Sequence, residues 1–222
     1  MDPLVFDIET GPEADEVLRS MEPEFTAPAN WKDPAKIADK IEEQRDAWRA
    51  KSALCATTGK VLAIGISDSD GVKLLFVNED PDDLYTERDV ISEFWQIACP
   101  NGKWRHLIGF NSNRFDIPFL VRRSYKLRIK VPYGVTNGRY LNPRFIDLMD
   151  SWKVGDYQAS ISLDRLAAHL GCRRKNGDGA MFAELLETNQ EEALDYLRND
   201  VAMTQEIAVA LGVIQPIEEV LY

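Results

Sequence analysis

The sequence contains few of the residues that build disulfide-stabilised or zinc-stabilised folds. Its 222 residues include 3 cysteines and 2 histidines. The cysteines, Cys55, Cys99 and Cys172, are far apart and form no C-x-x-C pair. An odd number at this spacing excludes a disulfide framework and predicts no zinc site. It favours a reducing, cytoplasmic setting.

Long apolar runs are also missing. None approaches the roughly 18 residues that a membrane-spanning helix needs, and Met1-Asp2-Pro3 lacks the basic flank of a secretory signal. We therefore expect no membrane association. Hydrophobic residues make up 45% of the chain and charged residues 28%, a balance typical of a globular protein with a sizeable core. The length predicts a single domain over residues 1–222.

The net charge of -11 is distributed unevenly along the chain. Between Lys103 and Lys175 there are 15 Lys/Arg against 5 Asp/Glu. This asymmetry is compatible with a basic surface for phosphates on an otherwise acidic protein. Candidate strand-binding cations are Arg122, Arg123 and the cluster Arg173–Lys175. The alternative is that the cations near Arg122 form only a solvated helix end and turn.

Strand and helix patterns alternate along the chain. Alternation and turn residues predict strands over Leu4–Ile8, Lys60–Ser67, Gly71–Val77, His106–Phe110 and Phe145–Met149. Apolar spacing and caps predict helices over Thr86–Ala98, Phe115–Lys126 and Ser162–Leu170, and a last helix from the capping box at Thr188–Glu191 to a stop at Gly212. An acidic helical segment at about 31–54 is the expected insertion after the first strand. Together these elements predict an α/β fold with a mixed sheet.

The first pattern with chemical meaning is Phe6-Asp7-Ile8-Glu9-Thr10, in the first predicted strand. Alternation sends Asp7 and Glu9 to one face of the strand, and Phe6 and Ile8 to the other. Two neighbouring carboxylates repel each other and need a counter-ion, for which hard divalent cations are the usual choice. Taken alone, the pattern also fits an ordinary solvated strand end.

Two further patterns place carboxylates on predicted helices. In the segment Gly109–Leu120 a buried strand leads through a polar turn to Asp116, at the start of the next helix. There an aspartate is often only a cap. In the last helix Tyr196 and Asp200 are four residues apart, so they share one face at the edge of an apolar stripe. By itself this is an ordinary boundary pair.

Taken in order, the motifs D-x-E, N-x-x-x-F-D-x-P-F-L and Y-x-x-x-D closely resemble those of the DEDD superfamily of 3′–5′ exonucleases. The second and third most closely resemble those of the proofreading exonuclease domain of family B DNA polymerases. Asp195 stands where the histidine variant carries its histidine, which favours the tyrosine subclass, DEDDy. The resemblance implies a ribonuclease H-like mixed β-sheet flanked by helices. No polymerase domain follows before Tyr222, so we expect a free-standing nuclease.

The resemblance also implies two divalent metal ions, Mg²⁺ or Mn²⁺, as cofactors. Asp7, Glu9 and Asp200 would hold one ion, and Asp7 would bridge to a second, bound by Asp116 directly or through water. Two such ions can clamp the attacking and leaving oxygens of a phosphoryl displacement. Tyr196 would orient the attacking water rather than act as a strong base, because a phenol titrates near 10.

The same resemblance implies contacts with the nucleic acid. Thr10 and Asn111 match motif positions near the terminal nucleotide of the family's substrate. Phe110 and Phe115 would suit stacking on single-stranded bases, but we expect both in the core.

The motifs predict a metal-dependent 3′–5′ exonuclease that acts on single-stranded DNA and releases nucleoside 5′-monophosphates. Its expected partners are DNA 3′ ends and proteins of replication, proofreading or repair, and its oligomeric state is left open. One alternative is a 3′–5′ exoribonuclease, because RNA-trimming relatives share the tyrosine subclass. The other is a ribonuclease H-like nucleic-acid-binding module without turnover.

Overall fold

A mixed five-stranded β-sheet forms the centre of the molecule. The computed structural model describes residues 1–177 and 179–215, so residue 178 and residues 216–222 of the predicted domain lie outside this account. The sheet strands are β1 (Leu4–Pro12), β2 (Gly59–Asp68), β3 (Gly71–Phe76), β4 (Leu107–Gly109) and β7 (Phe145–Asp147). Their order across the sheet is β3-β2-β1-β4-β7. A separate small hairpin pairs β5 (Thr136–Asn137) with β6 (Tyr140–Leu141).

The longest strand, β1, lies in the middle of the sheet. It pairs antiparallel with β2 and parallel with β4. The hairpin predicted at Asp68–Gly71 is confirmed, because β2 and β3 pair antiparallel across it. Gly71 has a φ of 109° there, a conformation that a residue with a Cβ rarely adopts. The predicted mixed sheet is therefore confirmed.

Helices cover both faces of the sheet. They are α1 (Asp15–Met21), α2 (Pro34–Ala50), α3 (Glu87–Ala98), α4 (Asp116–Leu127), α5 (Leu148–Lys153), α6 (Leu163–Leu170), α7 (Phe182–Thr188) and α8 (Gln190–Ala210). Side chains of α3 and α4 share one apolar cluster with Phe6 and Ile8 of β1. Side chains of α6, α7 and α8 share a second cluster with Val5 of the same strand. Over the described ranges, no helix has the length and apolarity to cross a membrane.

The helix starts follow local capping chemistry. Asp33 caps α2 by accepting a hydrogen bond from the Ala35 N–H at 3.0 Å, and Pro34 occupies the first helical position. Thr86 and Asp89 form a reciprocal capping box at α3. Such caps satisfy backbone donors that have no partner within the helix.

Several predicted boundaries are wrong for equally local reasons. The strand predicted over Phe145–Met149 ends at Asp147, because the Asp147 carboxylate accepts the Met149 N–H at 2.9 Å and starts α5. The last helix begins at Gln190, capped by Asn189, whereas Thr188 ends the unpredicted helix α7.

The predicted helical insertion is confirmed with a different internal structure. Helix α2 ends at Ala50 and is followed by a 3₁₀ turn over Ser52–Leu54, and the short helix α1 precedes it. The first strand extends to Pro12 instead of ending at Ile8. All three cysteines are unpaired.

Candidate active site

Strand β1 presents the first two acidic residues on one face. Asp7 and Glu9 lie on the side of α8, whereas Phe6 and Ile8 are buried in the opposite apolar cluster. The alternation predicted from the sequence is therefore confirmed. The pairing of β1 with β2 shifts register between Glu9 and Thr10, a bulge that re-aims the side chains next to it.

Helix α8 brings the third motif to the same place. Tyr196 and Asp200 are both buried on its inner face. The close approach of this helix requires a glycine on β2, because a Cβ at Gly65 would lie 2.4 Å from Cγ2 of Val201. Gly65 pairs with Asp7 across the two strands. This glycine thus lets α8 pack directly against the acidic strand.

The three side chains form a compact acidic cluster. One carboxylate oxygen each from Asp7, Glu9 and Asp200 lie within 4.8 Å of one another. Asp116 lies outside this group of three, buried at the start of α4, where its Oδ1 accepts the Ile8 N–H at 3.3 Å. Its charge still acts on the cluster, since it is one cause of the raised pKa of Asp7.

Burial raises the pKa of every carboxyl in this group, and repulsion by other carboxylates of the group adds to the rise for Asp7 and Glu9. Burial, followed by the charge of Asp200, raises the pKa of Glu9 to about 8. Burial is also the main reason why the pKa of Asp116 rises to about 7. The pKa values of Asp7 and Asp200 are raised as well, first by loss of hydration. Without a counter-ion, ionisation of these carboxyls therefore destabilises the folded protein.

Lys175 supplies positive charge to this cluster. Its Nζ lies 3.1 Å from Asp200 Oδ2 and donates a hydrogen bond to Tyr196 Oη at 2.6 Å. Burial and the charges of Glu9 and Asp200 raise the pKa of Tyr196 far above its ordinary value near 10. The phenol therefore stays protonated and can act only through hydrogen bonds.

A cavity of about 600 Å³ opens over the cluster. Asp7, Glu9, Tyr196 and Asp200 line it. The cavity is also lined by Thr10, Phe110 and Phe115. The two phenylalanines, which the sequence predicts in the core, therefore border the site. One wall of the cavity is formed by the described residues Arg49, Ala50, Ser52, Ala53 and Leu54.

Asn111 occupies the turn before α4 with a φ of 58°. It is absent from the described lining of the cavity. Its backbone N–H donates to Asp147 Oδ1 at 2.8 Å, and the Asn113 N–H donates to Asp147 Oδ2 at 3.0 Å. The buried carboxylate of Asp147 thus fixes the turn that carries the second motif.

The predicted strand-binding cations behave differently from one another. The prediction that Arg123 contacts the strand is wrong, because the residue is 1% exposed and its guanidinium pairs with Glu87 and Glu13 at 2.6 and 2.7 Å. A guanidinium held by two carboxylates inside the fold cannot contact a nucleic acid. Its neighbour Arg122 is exposed.

The three residues of the basic cluster after α6 also have different partners. Exposed Arg173 pairs with Glu206 at 2.6 Å, and exposed Arg174 pairs with Asp164 at 2.5 Å. Lys175 is the member of this cluster that reaches the acidic residues.

The sequence does not predict the contacts of Lys175 and Asp147. It predicts Lys175 as a strand contact together with its basic neighbours, and no local pattern connects this lysine to Asp200. It predicts Asp147 only as part of a strand. An acidic residue at the end of a short apolar strand was the available signal.

The donor set fits a hard divalent cation. Within the described ranges, Asp200 Oδ1 is buried and has no hydrogen-bond partner, and an unpaired buried carboxylate oxygen is costly. Oxygen ligands from carboxylates at this spacing suit Mg²⁺ or Mn²⁺. The residues present therefore match the metal that this kind of site implies.

Comparison with known families identifies the chain. Residues 54–209 match the family described as predicted 3′–5′ exonuclease related to the exonuclease domain of PolB. The chain belongs to this family. The match contains Asp116, Tyr196 and Asp200, and it starts after the acidic pair Asp7 and Glu9. No curated protein matches the chain.

A solved structure supports the same fold for this family member. The family B DNA polymerase from the hyperthermophilic archaeon Pyrobaculum calidifontis is similar, with a TM-score of 0.53 and 18% sequence identity. The similarity covers 98% of this chain and 26% of that polymerase. At this identity the likeness shows the fold alone. The predicted ribonuclease H-like fold is thereby confirmed.

Proposed function

We propose that this member of the family is a metal-dependent 3′–5′ exonuclease of the tyrosine subclass, which hydrolyses single-stranded DNA to nucleoside 5′-monophosphates. One observation carries the proposal. Carboxylates from β1 and α8 converge within 4.8 Å at the floor of an open cavity, and the buried Asp200 Oδ1 has no partner among the described residues.

Asp7, Glu9 and Asp200 would hold one divalent ion, and Asp7 and Asp116 would hold a second. Two ions bound there would supply the electrophilic activation of the phosphodiester and of the attacking water. The fold places these ligands on one strand, β1, and two helices, α4 and α8.

Tyr196 positions the attacking water by a hydrogen bond from its Oη. It cannot serve as the base, because its pKa is raised by burial and by the neighbouring carboxylates. Lys175 holds the phenol oxygen in place at 2.6 Å and partly balances the acidic cluster. Thr10, at the edge of the cavity, would contact the terminal nucleotide.

DNA is the proposed substrate because the matched family is related to the exonuclease domain of PolB. A cavity lined by Phe110 and Phe115 suits unpaired bases, since aromatic rings stack on bases of any sequence.

Hydrolysis of a labelled strand by matched variants tests the proposal. A 5′-labelled single-stranded DNA and an RNA of the same sequence are incubated with Mg²⁺, with Mn²⁺ and with chelator. We expect DNA hydrolysis only with metal. Asp7→Ala should lower the rate by about 10³-fold, while Asp70→Ala, an exposed acidic control in the β2–β3 turn, should leave it unchanged.

The outcomes separate the alternatives. Faster loss of RNA than of DNA would replace the DNA assignment with an exoribonuclease. Survival of both strands with either metal would favour a binding module without turnover. Full activity of Asp7→Ala would contradict the metal-ligand assignment.

A further inference from the structure

The segment from Asp15 to Leu54 forms an arm between the first two strands. It consists of α1, a connecting segment, α2 and the 3₁₀ turn Ser52–Leu54. The family match begins at residue 54, so the arm lies almost entirely outside it.

Helix α2 is not held by a buried face. None of its 17 residues is buried, although amphipathic helices are normally stabilised by burying one face. Its contacts include the ion pair of Arg45 with Glu22 at 2.6 Å, and the edge-to-face rings of Phe25 and Trp48 at 6.4 Å. Burial in the core therefore does not explain this helix. Its C-terminal end, by contrast, contributes Arg49 and Ala50 to the lining of the cavity.

That end is fixed firmly beside the acidic strand. Ser52 Oγ donates to the Arg49 carbonyl at 2.6 Å, and Thr58 Oγ1 donates to the Ser52 carbonyl at 2.9 Å. A Cβ at Gly59 would lie 2.8 Å from the Ala53 oxygen, so the turn packs directly on the start of β2. The wall that the turn adds to the cavity therefore has a defined position.

One residue of this wall, Arg49, carries a positive charge. Of the described residues that line the cavity, two are cationic, Arg49 and Lys175. Lys175 is already committed to Asp200 and Tyr196. A phosphate backbone approaching an acidic floor needs a cation on a side wall, and Arg49 stands there.

The present partners of Arg49 are weak ones. Its Nη1 lies 3.4 Å from Asp15 Oδ1 and its Nη2 lies 3.8 Å from Glu22 Oε2, and at these separations partly exposed pairs contribute little. Its Nε is buried and has no partner in the described part of the chain. A phosphate offers guanidinium a stronger, bidentate hydrogen-bonding partner. Nearby Leu54 leaves 63% of its surface exposed.

We propose that the end of α2 and the turn after it form the strand-binding wall of the active site. Arg49 binds a backbone phosphate of the single strand, and Leu54 packs against a base or sugar. This inference rests on the proposed exonuclease function and names the part of the chain that holds its substrate.

Equilibrium binding tests the wall without hydrolysis. In an Asp7→Ala background, the dissociation constant for a fluorescent single-stranded DNA is measured by anisotropy over a range of NaCl concentrations. Arg49→Gln should weaken binding about tenfold and reduce the salt slope by about 0.7. Lys40→Gln, the same charge change at a residue of α2 that is absent from the described lining of the cavity, should stay within about twofold.

The leucine has a matched control of its own. Leu54→Ser should weaken binding about fivefold. Leu84→Ser replaces a leucine with a similar exposure of 60%, which is absent from the described lining of the cavity, and should have no effect.

One further variant separates a phosphate contact from a loosened arm. Asp15→Asn removes a partner of Arg49 but keeps the arginine, so it should retain or raise the affinity. Loss of affinity in Asp15→Asn equal to that in Arg49→Gln would overturn the proposal. So would equal affinities of Arg49→Gln and Lys40→Gln while the wild-type protein degrades the strand. Failure of the wild-type protein to degrade DNA or RNA would instead contradict the proposed function.

Discussion

Glu9→Gln should stabilise the metal-free protein, because it removes a charge that the fold buries among other carboxylates. Burial and Asp200 raise the pKa of Glu9 from 4.5 to about 8. Between these two values the unfolded chain ionises Glu9 while the folded chain keeps it protonated. Folding then takes up a proton, so stability is greatest below pH 4.5 and falls as the pH rises toward 8.

The size of the effect follows from the two pKa values. Glutamine resembles the protonated glutamate and does not titrate. Applying the linkage relation to 4.5 and about 8, Glu9→Gln should exceed the wild type by about 1 kcal/mol at pH 5 and by about 3 kcal/mol at pH 7. Urea unfolding in the presence of chelator, at pH 5, 6, 7 and 8, measures this difference. Glu24→Gln, an exposed control, should show none.

Divalent metal should remove most of this difference at pH 7. Mg²⁺ at 100 times its dissociation constant should stabilise the wild-type protein by about 2.7 kcal/mol, and Glu9→Gln should gain much less because it lacks a ligand. A constant difference between the two proteins from pH 5 to pH 8 would refute the reasoning. Equal stabilisation of both by Mg²⁺ would show that Glu9 does not hold the ion.

Three further substitutions test other parts of the site. Tyr196→Phe should slow hydrolysis about 10- to 100-fold, and a loss as large as in Asp7→Ala would contradict its role in positioning water. Arg123→Met should lower the free energy of unfolding by about 3–5 kcal/mol because it removes the buried guanidinium that pairs with Glu87 and Glu13, whereas exposed Arg122→Met should stay within about 0.5 kcal/mol in the same urea assay. Gly65→Ala should cost about 1–3 kcal/mol and lower activity, because its Cβ would lie 2.4 Å from Val201 and displace α8. Unchanged stability of Gly65→Ala would show that α8 does not depend on this glycine.

The acidic positions were predictable because each depends on local geometry. Asp7 and Glu9 share a face by strand alternation, and Tyr196 and Asp200 share one by helical spacing. Neither pattern says that the strand and the helix meet. The resemblance of the motifs predicts that they meet, and the structure brings carboxylate oxygens of Asp7, Glu9 and Asp200 within 4.8 Å of one another.

The burial of Arg123 follows from its position on α4. Arg123 follows Phe119 by four residues on α4, and Phe119 is buried, so both lie on the inner face of the helix. Arg122 lies off that face. The local count of positive charges in this region carried no information about which cation points outward.

Other features depend on contacts between distant parts of the chain. Lys175 reaches Asp200 across 25 positions, and Asp147 holds the Asn111 backbone across 36. No local pattern encodes such contacts. The short helices α1 and α7 have 7 residues each, too few for a clear periodic pattern, and isolated helices of this length are unstable without tertiary packing.

The most direct test of metal-dependent hydrolysis from the 3′ end uses one single-stranded DNA labelled separately at each end. With Mg²⁺, we expect the 5′-labelled strand to shorten as a ladder, while the 3′ label appears as a nucleoside 5′-monophosphate from the first time point. Chelator should stop both reactions. Release of the 3′ label in fragments of mixed length would contradict exonucleolytic cleavage, and release of mononucleotides from the 5′ label would contradict its direction.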